Sequence, residues 1–248
     1  MQDSMLLLVL PPLLLVPAMG LLSMIRSTHA LGRELKRKSL HVGIGLAALV
    51  LPQLLTEPWM VVSGLALALA WMSAVRTLPR LRLHFGSVLH DCDRRSLGEL
   101  YFALAIAALL LATQGSPLLY AIPLLILTLA DTAAAIAGRL LPSGQLTGFL
   151  RGKTVAGCTA FFAVAAAVCL AMLSNFTQLP AWQVAVAALL VATATGLAEA
   201  VCRRGLDNIV VPLVAWFCLR MLDLAAQPAS VLVMDVRQVL QPLIGGAM

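Results

Sequence analysis

Residues 117–137 read PLLYAIPLLILTLADTAAAIA, an apolar stretch interrupted by a single carboxylate, Asp131. Its length suits a bilayer crossing, which takes roughly 20 residues of α-helix. An ionisable group inside such a stretch is costly in lipid and by default marks a functional position. Comparable apolar runs lie on both sides, at about 5–25, 39–55, 58–75, 99–113, 155–174, 180–198 and 208–226. The pattern predicts an all-α, polytopic membrane helix bundle of about eight transmembrane helices (seven to eight) with short loops.

The composition points the same way. Of 248 residues, 61% are hydrophobic and 11% charged, and the mean hydropathy is +0.96. A soluble domain is roughly 45–50% apolar and about 25% charged. Too few polar residues remain to coat a water-soluble core, which excludes a soluble enzyme, a secreted disulfide domain, a disordered chain and a fibre. Cys92, Cys158, Cys169, Cys202 and Cys218 are scattered without a CxxC spacing, so neither a disulfide framework nor a zinc ribbon is expected. Asp3 precedes the first run with no Lys or Arg, so the run lacks the basic flank of a secretory signal and reads as a retained span. Residues 1–248 read as a single integral-membrane domain. In the tail, 227–248, Val231, Val233, Val236, Val239 and Leu240 suggest an amphipathic interfacial helix.

The formal charge of +6 would suggest nucleic acid in a soluble protein. Here the basic residues sort by loop instead. Arg26, Arg33, Lys36, Arg37 and Lys38 lie between spans one and two, and Arg76, Arg80, Arg82, Arg94 and Arg95 between three and four. Arg139, Arg151 and Lys153 lie between five and six, and Arg203 and Arg204 between seven and eight. The intervening loops carry none. Excess Lys and Arg marks the cytoplasmic side. The expectation is a multi-pass protein, as in a bacterial inner (plasma) membrane, with its basic loops in the cytoplasm and no nucleic-acid partner.

Four polar clusters gather on that side. The first, ELKRKSLH at 34–41, puts Glu34, Arg37, Lys38 and His41 on one helix face through spacings of three and four. Such a face suits phosphate binding, or alternatively a snorkelling topology anchor. The second runs from His84 to Glu99; it matches no zinc spacing, and Arg94, Arg95 and Glu99 are its better candidates for substrate or phosphate contact.

The third joins Asp131 to a glycine-rich turn. Ala134 and Gly138 form a small-residue stripe that permits close approach of a helix or ligand. The turn, GQLTGFLRGKTVAG at 144–157, offers backbone N–H groups and Lys153 to an anion, while Asp131 suits a divalent cation. It is not a Walker A loop, because Thr147 stands where that motif needs glycine. The alternative for Asp131 is an ion pair with Arg139 or Lys153. In the fourth cluster, Glu199 ends span seven while Asp207 and Asn208 open span eight, fit for Mg²⁺ coordination or for helix N-capping. Together these groups suit phosphoryl transfer between a soluble nucleotide and a membrane-dissolved alcohol, a reaction run by positioning and charge neutralisation.

At these residues the chain resembles the CTP-dependent polyprenol kinases, the phytol kinase and dolichol kinase group, distantly related to phosphatidate cytidylyltransferase. Arg37 to His41 resembles the group's RK-x-x-H, and RSLGELYF from Arg95 its R-x-x-GELYF. Asp131, Ala134 and Gly138 are similar to its D-x-x-A-x-x-x-G, and Gly152, Lys153, Thr154 and Gly157 to its KKT-x-E-G. Glu199 and LDNIVVPL at 206–213 resemble its closing glutamate and DDNLTIPL. The likeness covers about 34–213. It departs where Gly152 replaces a lysine, where Ala156 replaces a glutamate, and in a longer spacing between Gly138 and Gly144. The compact length and the missing glutamate lean toward the phytol kinase branch.

The resemblance implies a kinase that passes the γ-phosphate of CTP to an isoprenoid alcohol with Mg²⁺. It implies Asp131 and Asp207 as Mg²⁺ ligands or general bases, supported by Asn208 and Glu199. Gly138, Gly152, Lys153, Thr154 and Gly157 would bind phosphates, and Arg37, Lys38, His41 and Arg95 would contact the triphosphate or the hydroxyl. A CTP-dependent lipid-phosphate cytidylyltransferase would use the same residue types. A transporter or non-catalytic lipid-binding protein is the rival from another class, but transporter sites lie near the bilayer midplane, and here the polar groups gather at one face.

Overall fold

The computed structural model describes residues 30–81, 97–113, 116–141, 144–147 and 152–222. The helices are α1 (Ala30–Ala48), the single turn α2 (Leu51–Leu54), α3 (Pro58–Thr77), α4 (Gly98–Ala112), α5 (Pro117–Leu140), α6 (Val155–Phe176), α7 (Ala181–Val201) and α8 (Asp207–Met221). Among the described residues there is no strand, only an isolated antiparallel bridge between Gln145 and Thr154.

Four of these helices, α3, α5, α6 and α7, are long and apolar enough to cross a membrane. α4 and α8 have 15 residues each. At 1.5 Å per residue that is about 22 Å, short of the ~30 Å hydrocarbon core. The architecture is therefore an all-helical one suited to a membrane, with four such candidate spans among the described residues. The run at 5–25, the tail at 227–248, Arg95 and the 84–93 segment lie outside the described residues.

Local chemistry sets several helix starts. Pro58 and Pro117 open α3 and α5, where the missing N–H costs nothing. Thr154 caps α6, its Oγ1 accepting from the Gly157 N–H at 3.1 Å. α5 forms the core, with every residue of 118–124 buried. Leu109, Phe161, Val191 and Leu219 close around it without exposure. Val62, Leu189, Leu197 and Phe217 face outward instead, an apolar surface that lipid would cover.

Within α5, Pro123 has no N–H to give the Leu119 carbonyl, and residues Ile126–Ala130 then form a wide π turn immediately before Asp131. Such turns recur at functional sites. Along this helix α1 runs antiparallel, touching it through residues spaced by three and four. Glu34 meets Arg139, Lys38 meets Asp131, and His41 meets Leu127. Gly45 lies so close to Thr128 that a Cβ there would overlap its side chain. At the far end the Tyr120 hydroxyl donates to the Ala48 carbonyl at 2.7 Å, satisfying a carbonyl at the helix terminus.

The predicted small-residue stripe is a helix crossing. A Cβ on Gly157 would stand 3.1 Å from the Ala134 carbonyl oxygen and 3.7 Å from the Gly138 Cα. α6 therefore packs directly on the end of α5 that carries Asp131.

Candidate functional site

The polar end of the bundle holds two buried ion-pair systems. In the first, the Lys38 ammonium donates to Asp131 Oδ2. His41 Nε2 lies 3.7 Å from the same oxygen and 3.3 Å from the Leu127 carbonyl. A carbonyl only accepts, so a hydrogen bond there assigns the proton to Nε2. The Phe102 ring of α4 packs against the imidazole at a centroid distance of 4.3 Å. The Lys38 side chain is 3% exposed and that of Asp131 13%. Stripping one partner from a buried pair of this kind leaves an uncompensated charge.

One turn earlier on α1, Glu34 uses both carboxylate oxygens. Oε1 accepts from Arg37 at 2.6 Å and Oε2 from Arg139 at 2.9 Å. Burial pushes this carboxyl up, but Arg37, Lys38 and Arg139 together outweigh it and hold Glu34 below its usual value.

The second system is built by the glycine-rich turn and by α7. The Leu146 N–H donates to the Lys153 carbonyl at 2.9 Å, and the Val155 N–H to the Gly144 carbonyl at 3.2 Å. The turn is thus clipped shut at its base. Gly152 sits at φ +97°, a conformation glycine adopts without penalty, just before Lys153. The Lys153 ammonium donates to Glu199 Oε1. The other oxygen, Oε2, is buried and has no hydrogen-bond partner. Burial lowers the Lys153 ammonium, yet the negative charges of Glu199, Asp207 and Asp131 raise it overall.

Asp207 opens α8 after a turn in which Arg204 (φ 56°) and Gly205 (φ 87°) are left-handed. No side chain caps this helix, and Asn208 instead donates through Nδ2 to the Gly205 carbonyl at 3.3 Å. Neither Asp207 nor Asn208 is the simple N-cap. Pro212 also removes the N–H that the Asn208 carbonyl would otherwise accept.

These groups belong to one field. Asp131, Lys153, Glu199 and Asp207 all interact electrostatically with one another. With Lys38, three carboxylates face two ammonium groups, leaving negative charge in excess. Among the described residues, no group of three or more His, Cys, Asp and Glu side chains stands ready to hold a metal ion alone. Mg²⁺ does not need one, since it is commonly held by one or two carboxylates plus substrate phosphates and water. The unpartnered Glu199 oxygen and the surplus charge fit such an ion.

The structure thus gathers Lys38, His41, Asp131, Lys153, Glu199, Asp207 and Asn208 at one end. Arg37 faces Glu34, while Gly138 and Gly157 serve the helix crossing beside Thr154. Arg76 bonds Glu99 at 3.0 Å and ties α3 to α4. Asp131 pairs with neither Arg139 nor Lys153, the two partners expected from the sequence. Sequence reading also missed the Glu34–Arg139 bond and the Phe102 contact. A lone acidic residue in a basic run was the available signal for the former. No protein family, curated protein or solved structure matches the chain.

Proposed function

We propose that the chain is a membrane-embedded lipid-alcohol kinase that transfers the γ-phosphate of CTP to a prenol, giving prenyl phosphate and CDP. The observation that supports this reading is the convergence of the Lys38–Asp131 and Lys153–Glu199 pairs with Asp207 at one end of an apolar bundle. A water-soluble nucleotide reaches such an end from outside the bilayer, and a lipid alcohol reaches it from within. On this reading the chain has about eight spans, and the site faces the cytoplasm of a bacterial inner membrane.

The prenol oxygen attacks the γ-phosphorus while the bond to the β–γ bridging oxygen breaks, and CDP carries that electron pair away. The hydroxyl proton passes to a carboxylate, Asp131 or Asp207. Lys38 and His41 fix the Asp131 carboxylate on the α1 side. Lys153, held by Glu199, offsets charge on the phosphates. Mg²⁺ bound by Asp131 and Asp207, with Glu199 in support, would neutralise phosphate oxygens during transfer.

The test is purified protein in lipid nanodiscs with γ-labelled CTP, Mg²⁺ and a panel of prenols, with ATP and GTP as controls. Label in a prenyl phosphate, dependent on CTP, is the expected result. Pyrophosphate and a CDP-lipid from a lipid phosphate would replace the kinase by a cytidylyltransferase. Absence of transfer to every acceptor would return the chain to the transporters and lipid-binding proteins.

A further inference from the structure

Glu34 belongs to no step of the proposed reaction, yet it is the most heavily bonded carboxylate in the described residues. Its side chain is 5% exposed, and each oxygen takes a separate guanidinium. One of these, Arg37, is on its own helix; the other, Arg139, is at the C-terminal end of α5. One turn along α1 stands Lys38, and two turns back along α5 stands Asp131. The bond to Arg139 therefore clamps the two helices immediately beyond the point where Lys38 crosses to Asp131. Further along, α1 also meets α5 at His41, Gly45 and Ala48.

We infer that Glu34 is a positioning residue, a charged clasp whose bonds to Arg139 and Arg37 hold α1 in the register that keeps Lys38 buried against Asp131. It touches no substrate. Lys38 has a long, flexible stem, so loss of the clasp lets that end of α1 shift and the ammonium gain access to water. In its kinetic consequences the inference rests on the kinase reading; in its structural consequence it stands alone.

Two measurements keep these apart. The first is residue-resolved labelling of lysines by a water-soluble amine-reactive ester, read by mass spectrometry on the full chain in nanodiscs. Glu34→Gln and Arg139→Gln should each raise labelling of Lys38 at least about fivefold, with no change at Lys153, and the double variant should add little to either single because both remove the same interhelical Glu34–Arg139 bond. Unchanged Lys38 labelling, or an equal rise at Lys153 that signals general loosening, overturns the clasp. The second is steady-state kinetics with CTP and the acceptor found above. Glu34→Gln should lower kcat about tenfold with KM for the prenol unmoved, and Glu34→Asp should recover part of the loss. If the wild-type chain transfers no phosphate while Lys38 labelling shifts as stated, the clasp holds and the kinase reading fails. If transfer is active and both readouts ignore Glu34, the clasp fails and the kinase reading survives.

Discussion

The two ends of the bundle are chemically opposite. At one end lie the ion pairs of Glu34, Lys38, Arg76, Lys153 and their partners. At the other, α3 and α7 begin with Trp59 and Trp182, which are 52% and 66% exposed, and the loops carry no Lys or Arg. Exposed tryptophans at helix starts are typical of a membrane–water interface. The charged end spends its side chains on one another, buried and across helices. The tryptophan end offers its side chains outward. A polar end that only met water would resemble the second in exposure, so the burial of Lys38, Glu34 and Glu199 points to a site rather than to a surface.

The sharpest way to break this contrast is at the paired charges. Asp131→Asn and Lys153→Ala should each lower CTP-dependent prenol phosphorylation by about a hundredfold or more, the scale on which charge-stabilising groups act. Rates in nanodiscs would check it, with Trp182→Leu alongside as the matched change at the opposite end.

Next come the close helix contacts that support the charged end. Gly157→Val would press a side chain against the Ala134 carbonyl and the Thr154 hydroxyl. Overpacking of this kind costs roughly 1–3 kcal/mol. A lowered thermal midpoint is expected, whereas Gly144→Ala, where a Cβ meets nothing within 4 Å, should leave it unmoved.

A smaller effect is expected from pH. Glu34 is held below its usual value of 4.5, so its contribution is complete above that value and is lost as pH falls through the lower, folded one. Lys153 is raised above its usual 10.5, so its contribution is complete below that value and is lost as pH rises through the higher one. The thermal midpoint should therefore be flat between about pH 5 and 10 as far as these two groups act. Glu34→Gln should weaken the acid limb and Lys153→Ala the alkaline limb. The smallest change belongs to Trp182→Leu, with activity within about twofold, as for exposed substitutions generally.

Much of the charged end was legible in the sequence. Spacings of three and four placed Glu34, Arg37, Lys38 and His41 on one face because helix geometry is local. The stripe of Ala134 and Gly138 announced a close crossing for the same reason. Partnership was not legible, because it is set by packing across the chain. Asp131 found Lys38, 93 residues away, rather than its neighbours Arg139 and Lys153. Arg139 instead takes Glu34 from α1, and Lys153 takes Glu199 from α7. The apolar runs at 99–113 and 208–226 did locate α4 and the start of α8, because hydropathy, like helix geometry, is local.

The π turn before Asp131 carries a further consequence. A wide turn holds one residue more than the α-helical path needs, and each residue of an α-helix turns the chain by about 100°. Removing a single residue from Ile126–Ala130 would restore unbroken α register and swing everything after it around the axis. Asp131 would leave the seam it shares with Lys38, though no residue touching either had been altered. The alignment of this site is thus written in chain length as well as in chemistry: here a one-codon deletion in an apolar run would be more damaging than most substitutions within it.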